Sequence, residues 1–235
     1  MEVQIAVSKI HKYATSDSGD TVEVVERPKG GLSVVMADGQ TSGRGAKWIS
    51  TLVVRKVISL LAEGVRDGAA ARAASDYLFT ERRGKVLATL NILSVDLQTK
   101  SLVITRNNPA PVLLARNGDI ECLDEPSLPI GIYRNTRPLI NEFALSIGLT
   151  AVAYTDGLLH AGSRTGESLD IRSELQDLLA KDDCSFQDVA DSLLARAIEM
   201  DQSRPVDDIS VIVLRVSSRR GDEVRRLYAR LPIGP

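Results

Sequence analysis

The chain is poor in the residues that build covalent or soft-metal frameworks: it has two cysteines, Cys122 and Cys184, and two histidines, His11 and His160. The cysteines lie far apart with no CxxC or Cys/His spacing, so the signatures of a disulfide framework and of a zinc site are both missing. They read as packing residues in a reduced setting. No apolar run approaches a membrane span, and the first residues, MEVQIAVSKIHKY, lack the charged start, apolar stretch and cleavage site of a targeting segment. A cytoplasmic protein is expected. The nucleotide-binding patterns GxxxxGK(S/T) and GxGxxG are absent. A formal net charge of -2 indicates neither a nucleic-acid nor a membrane surface. No linker-like composition shift or internal repeat divides the chain, and a single domain over residues 1–235 is expected.

What is present is an ordinary core-forming composition, 43% hydrophobic and 26% charged, arranged in strand and helix periods. Val3, Ile5 and Val7 alternate with polar or small residues, and Val22, Val24 and Val25 lie in a second β-rich run. Gly30-Gly31 supplies a hairpin turn into residues 32–37, nearly all apolar and therefore expected as a strand buried on both faces. Residues 46–63 place Trp48, Leu52, Val53, Lys56, Leu60 and Leu61 at helical spacing, with Trp48 expected in the core, and the alanine-rich 67–82 reads as a second helix. Strands are expected at 86–97 and 102–105, and at 112–115 and 120–123 around the tight-turn dipeptide Asn117-Gly118. Two more follow at 137–145 and 149–155. Helices at 171–181 and 186–200, the second capped by Ser185, precede a last strand at 209–216. The arginine-rich end, 219–235, is expected to carry a basic helix over 222–231. Strands in runs with helices in two blocks favour α+β with antiparallel sheets.

Three of the apolar runs carry aspartate at one end: Asp38-Gly39 follows LSVVMA, Asp156-Gly157 follows LTAVAYT, and Asp207-Asp208 precedes ISVIVLRV. A carboxylate where a buried strand emerges needs a compensating cation or hydrogen-bond donors. In antiparallel neighbours the three would meet at one edge of the same sheet, where they repel one another unless a hard divalent cation neutralises them. Each Asp-Gly alone is a common turn dipeptide. Their shared position at buried-strand ends is what points to metal.

The set VVMADGQTSGRGA, NNPAPVLL, LPIGI, AYTDGLLHAG and RPVDDISVIVL, in this order across most of the chain, resembles the type 2C metal-dependent protein serine/threonine phosphatases. More narrowly it resembles their bacterial branch, that of sporulation stage II protein E and of the stress-response phosphatases that act on anti-sigma-factor antagonists. The resemblance implies a four-layer αββα sandwich with two central antiparallel sheets and a site for two Mn²⁺ or Mg²⁺ ions at one end. It implies hydrolysis of phosphoserine or phosphothreonine on a regulatory protein by a metal-activated water, without a phosphoenzyme. In it Asp38 bridges the metals and positions that water, the Gly39 carbonyl binds one of them, Asp156 and Asp207 complete the first metal's shell, and Asp20, in SDSGD, serves the second. Asp208 sits one step outside, Gly157 keeps the strand exit compact, Asn108 is a polar residue near the sheet edge, and His160 is a candidate proton donor. A regulatory partner chain near the helix that begins at about residue 46 is also implied.

Two departures from the family pattern are visible. Its loop reads DGxGxG, whereas this chain has Thr41 in place of a glycine. A β-branched residue disfavours positive φ, so either the loop bends differently or the glycine is not essential to its bend. The arginine that contacts substrate phosphate in eukaryotic relatives has no counterpart near the N-terminus. The other reading of these residues is a catalytically weak domain that acts as a regulatory binding module.

Overall fold

Alternation along the strands sorts the apolar residues into three layers of core, and that sorting defines the architecture. The computed structural model describes residues 1–181, 183–219 and 221–232. One antiparallel sheet has the order β1 (Glu2–Ile10), β10 (Ile209–Ser217), β9 (Thr150–Tyr154), β6 (Val112–Arg116), β7 (Asp119–Leu123). The other has the order β2 (Asp20–Glu26), β3 (Gly31–Gly39), β4 (Ala88–Asp96), β5 (Ser101–Asn107), β8 (Leu139–Ala144). Val34 and Met36 of β3 face Leu114, Ala151, Ala153, Ile212 and Leu214 of the opposite sheet and fill the space between the sheets. Their neighbours Val35 and Ala37 face the other way, onto α1 (Gly43–Ala62) and α2 (Asp67–Arg82). The outer face of the first sheet, with Val152, Val211 and Val213, packs on α4 (Ile171–Leu179) and α5 (Phe186–Met200). The result is the expected αββα sandwich, with strands 34–37 buried on both faces because each face has its own layer.

Most expected elements form close to where the periodicity puts them. Ser185 caps α5 with a full capping box: its hydroxyl accepts from the Asp188 N–H, and the Asp188 carboxylate accepts from the Ser185 N–H. Two expectations need correction. The buried stripe of α1 is Ala46, Ile49, Ser50, Val53, Val54, Val57 and Leu61, which turns Trp48 outward, 47% exposed, with the Arg82 guanidinium 4.9 Å above its ring. Asp156, directly after β9, opens a short helix, α3 (Asp156–Leu159). The basic terminal helix is not formed among the described residues of 221–232. Leu227, Tyr228 and Leu231 are each more than four-fifths exposed, so that segment has local Arg–Asp pairs but no apolar face to bury, and a short helix without tertiary packing is marginal. Residues 220 and 233–235 lie outside the described residues. No helix among the described residues is long and apolar enough to cross a membrane.

Candidate metal centre

Strand parity carries the aspartates to one end of the space between the sheets. Val22 and Val24 of β2, and Val34 and Met36 of β3, point inward between the sheets. Asp20 and Asp38 continue those same two rows, and the register pairs them directly opposite each other. Asp156 and Asp207 come from the other sheet, at the exit of β9 and the entry of β10. The expected meeting at the edge of one sheet is therefore corrected: the site straddles two sheets, because face-to-face packing brings their strand ends together across the sandwich.

Asp20 is the best-defined member. It is fully buried, and its Oδ2 accepts from Ser210 Oγ at 2.6 Å and from Thr155 Oγ1 at 3.1 Å. Both donors come from the opposite sheet, on the rows that face inward. Thr155 is itself fixed, since its hydroxyl oxygen accepts from the Ser210 N–H at 2.9 Å and its N–H donates to Ser210 O at 3.1 Å. The second oxygen, Asp20 Oδ1, is buried with no hydrogen-bond partner among the described residues. A buried carboxylate oxygen left without a donor is costly, and a hard cation is the ligand its chemistry fits.

The electrostatics agree. Burial, and then the carboxylates of Asp20, Asp156 and Asp207, push Asp38 up to about 9. Burial pushes Asp20 up to about 6 against the opposing pull of the Ser210 hydroxyl and the Lys9 ammonium. Asp156 is raised by burial first and by Asp207 second. Four carboxylates thus act on one another at one end of the sandwich. Among the described residues they do not close into a cluster of three ready to hold an ion; what fits a pair of hard cations is the donor set, with one buried oxygen unpartnered. The residues able to hold them are Asp20, Asp38, Asp156 and Asp207, with the Gly39 carbonyl.

The remaining candidates divide between scaffold and rim. Asp208 is buried, and its two oxygens accept from the Lys12 N–H at 2.9 Å and the Gly19 N–H at 2.8 Å. It clamps the segment that delivers Asp20. A Cβ on Gly157 would overlap the Asp208 carbonyl oxygen, and one on Gly39 would overlap that of Ala46, so each glycine permits a close backbone approach beside an aspartate. Asn108 fixes a turn: its Oδ1 accepts from the Ala110 N–H at 2.9 Å and its Nδ2 donates to Tyr154 O at 3.4 Å. His160 is largely exposed, with Nδ1 4.0 Å from Asp156 Oδ2.

Thr41 takes φ +84°. The loop therefore makes the bend that glycine would make, and the β-branched residue bears the strain. Gln40 fastens the loop on its other side, donating its N–H to Leu87 O and accepting the Leu87 N–H on Oε1, both at 3.0 Å. Sequence reasoning missed Thr155, Ser210, Lys9 and Lys47. Thr155 and Ser210 lie inside the AYTDG and DDIS strings and share the inward parity of their strands, which was the available signal. The lysines had none.

A family model described as stage II sporulation protein E matches residues 28–217. Stage II sporulation protein E of Bacillus subtilis strain 168 is 22% identical over 201 residues, covering 85% of this chain and 24% of that protein, so this chain spans about a quarter of its length. The solved phosphatase domain of SpoIIE from Bacillus subtilis, with a fragment of its regulatory domain, has a TM-score of 0.79 at 21% identity over 92% of this chain and 64% of that one. The catalytic domain of the serine/threonine phosphatase PstP, solved with two manganese ions, has a TM-score of 0.68 at 16% identity over 92% and 99%. Since the family match runs over most of the chain and takes in every strand-end aspartate except Asp20, this chain belongs to the stage II sporulation protein E family.

Proposed function

We propose that the chain hydrolyses phosphoserine or phosphothreonine on a regulatory protein, using two Mn²⁺ or Mg²⁺ ions held by Asp20, Asp38, the Gly39 carbonyl, Asp156 and Asp207. The observation that carries the proposal is Asp20, buried, fixed through one oxygen by Ser210 and Thr155 and unpartnered at the other. When bound, the ions would supply an activated water and neutralise charge on the phosphoryl oxygens. The chain's own part is to hold that geometry. Asp38, opposite Asp20 in the ladder, is placed to orient the attacking water, and Asp208 holds the Asp20 segment in position. His160 is placed to donate a proton to the leaving oxygen from the rim. The glycine-like bend at Thr41 supports a working metal loop over the alternative of a weakly catalytic binding module.

The regulatory protein would be an anti-sigma-factor antagonist in a partner-switching pathway, in a cytoplasmic setting, with one catalytic unit over residues 1–235. A regulatory chain would dock on the outer face of α1. Exposed Trp48 with its stacked Arg82 supports that site, because aromatic and arginine side chains dominate binding energy at interfaces. The test is hydrolysis of a phosphopeptide and of p-nitrophenyl phosphate with Mn²⁺, with and without Asp38→Asn. Metal-dependent turnover abolished by the substitution is expected; no turnover, or turnover indifferent to Asp38, sinks the proposal.

A further inference from the structure

Two lysines from different layers converge on one main-chain oxygen beside the carboxylates. Lys9 leaves β1, and its Nζ donates to the Asp20 carbonyl at 2.9 Å; Lys47 leaves the start of α1, and its Nζ donates to the same oxygen at 2.8 Å and to Thr21 Oγ1 at 3.0 Å. A neutral carbonyl cannot balance two ammonium groups, and sharing it forces like charges into close proximity. Much of the Lys9 side chain is open to solvent. Neither ammonium makes an ion pair among the described residues. Each ammonium carries three donors, so three N–H groups of the pair are left over.

The arrangement is wasteful as a brace. One lysine would satisfy the Asp20 carbonyl, and the second adds repulsion and desolvation. It is useful as a counter-charge for a transient anion. Five carboxylates, with Asp208 counted, exceed the charge of two divalent ions, and a site so balanced repels a phosphomonoester dianion. Two lysines turn the balance positive. We propose that Lys9 and Lys47 are the chain's phosphate contact, a paired ammonium rim that binds the phosphoryl oxygens of the substrate where no N-terminal arginine is present. The inference rests on the phosphatase reading of the neighbouring site.

The experiment replaces each lysine by glutamine, which keeps a neutral donor for the Asp20 carbonyl and removes the charge, and by arginine, which keeps the charge. Inorganic phosphate and Mn²⁺ are titrated separately by calorimetry, and KM and kcat are measured on a phosphopeptide. Lys9→Gln and Lys47→Gln are each expected to weaken phosphate binding and raise KM by about tenfold. Mn²⁺ should bind as well or more tightly, because a repelling charge has gone, and the arginine variants should stay near the parent. Phosphate affinity unchanged in both glutamine variants overturns the inference, as does a parallel loss of Mn²⁺ and phosphate binding, which marks a brace. Should a glutamine variant fail to fold, methionine at the same position is read by the same titrations. A parent protein that binds phosphate through these lysines but hydrolyses nothing with Mn²⁺ would fail the phosphatase reading alone.

Discussion

Asp20 and Asp38 stand directly opposite each other in the β2–β3 ladder, both on the row that faces the opposite sheet. Like charges directly opposite on one face are destabilising, and here Asp20 is fully buried and Asp38 half-buried. The consequence is a site that costs the metal-free protein stability and is relieved by a cation or a proton.

The pH dependence follows from that pair. Asp38 is pushed up to about 9 and Asp20 to about 6 in the folded chain, both above the ordinary carboxylate value. The folded state therefore binds more protons than the unfolded state between about pH 4 and 9, and stability falls as pH rises through that window. In chelator, the midpoint of urea unfolding should be higher at pH 5 than at pH 8. Saturating Mn²⁺ should flatten the difference; a metal-free protein that is more stable at pH 8 would contradict the account.

Asp38→Asn should separate stability from activity. Folding at pH 8 without metal must protonate Asp38, which is pushed up to about 9; asparagine is neutral already, so in chelator at pH 8 the melting temperature is expected to rise. A gain of about 1 kcal/mol corresponds to roughly 2–4 °C for a chain of this size. Mn²⁺-dependent hydrolysis should disappear in the same variant. Calorimetric melting alongside the phosphatase assay reads both signs.

Ser210→Ala removes the 2.6 Å donor to Asp20 Oδ2 and leaves that oxygen on Thr155 alone. Loss of a group that orients a metal ligand typically weakens metal affinity by about 10- to 100-fold. The Mn²⁺ concentration giving half-maximal activity should rise by that order, and Thr155→Val should act in the same direction. Thr155→Ser, which keeps the hydroxyl, should restore most of the affinity. An unchanged Mn²⁺ requirement in Ser210→Ala would rule out the positioning role.

Thr41→Gly tests whether the metal loop is strained. Backbone strain of this kind is worth about 1–3 kcal/mol, and the extra freedom of glycine in the unfolded chain returns roughly 0.5–1 kcal/mol of that. A net gain of about 1 kcal/mol in urea unfolding is expected, with Mn²⁺ affinity retained. Destabilisation would mean that the Thr41 side chain makes a contribution larger than its strain.

Asp208→Asn keeps one acceptor where the aspartate offers two, and turns an N–H toward a backbone N–H that needs an acceptor. Losing one of the bonds to Lys12 or Gly19 should cost about 1–3 kcal/mol. The Mn²⁺ requirement should shift less than in Asp207→Asn. Equal shifts in the two variants, read from activity against Mn²⁺ concentration, would make Asp208 a ligand.

The sequence by itself determined the strands and the strand ends at which the aspartates gather. Short, nearly continuous apolar runs at 32–37, 149–155 and 209–216 read as strands buried on both faces, and an aspartate at the end of such a run must emerge at a sheet end. The same patterns could not say that Asp38 and Asp156 belong to different sheets, because strand order depends on packing between segments far apart in sequence. They could not orient Trp48 either: several helical stripes pass through residues 46–63, and only the face β3 presents to α1 selects the buried one. The terminal helix failed for the converse reason, a pattern with no partner surface to bury it. The donors of Ser210 and Thr155 and the two ammonium groups on the Asp20 carbonyl were decided only by tertiary structure, since a hydrogen bond between residues as far apart as 20 and 210 leaves no local pattern.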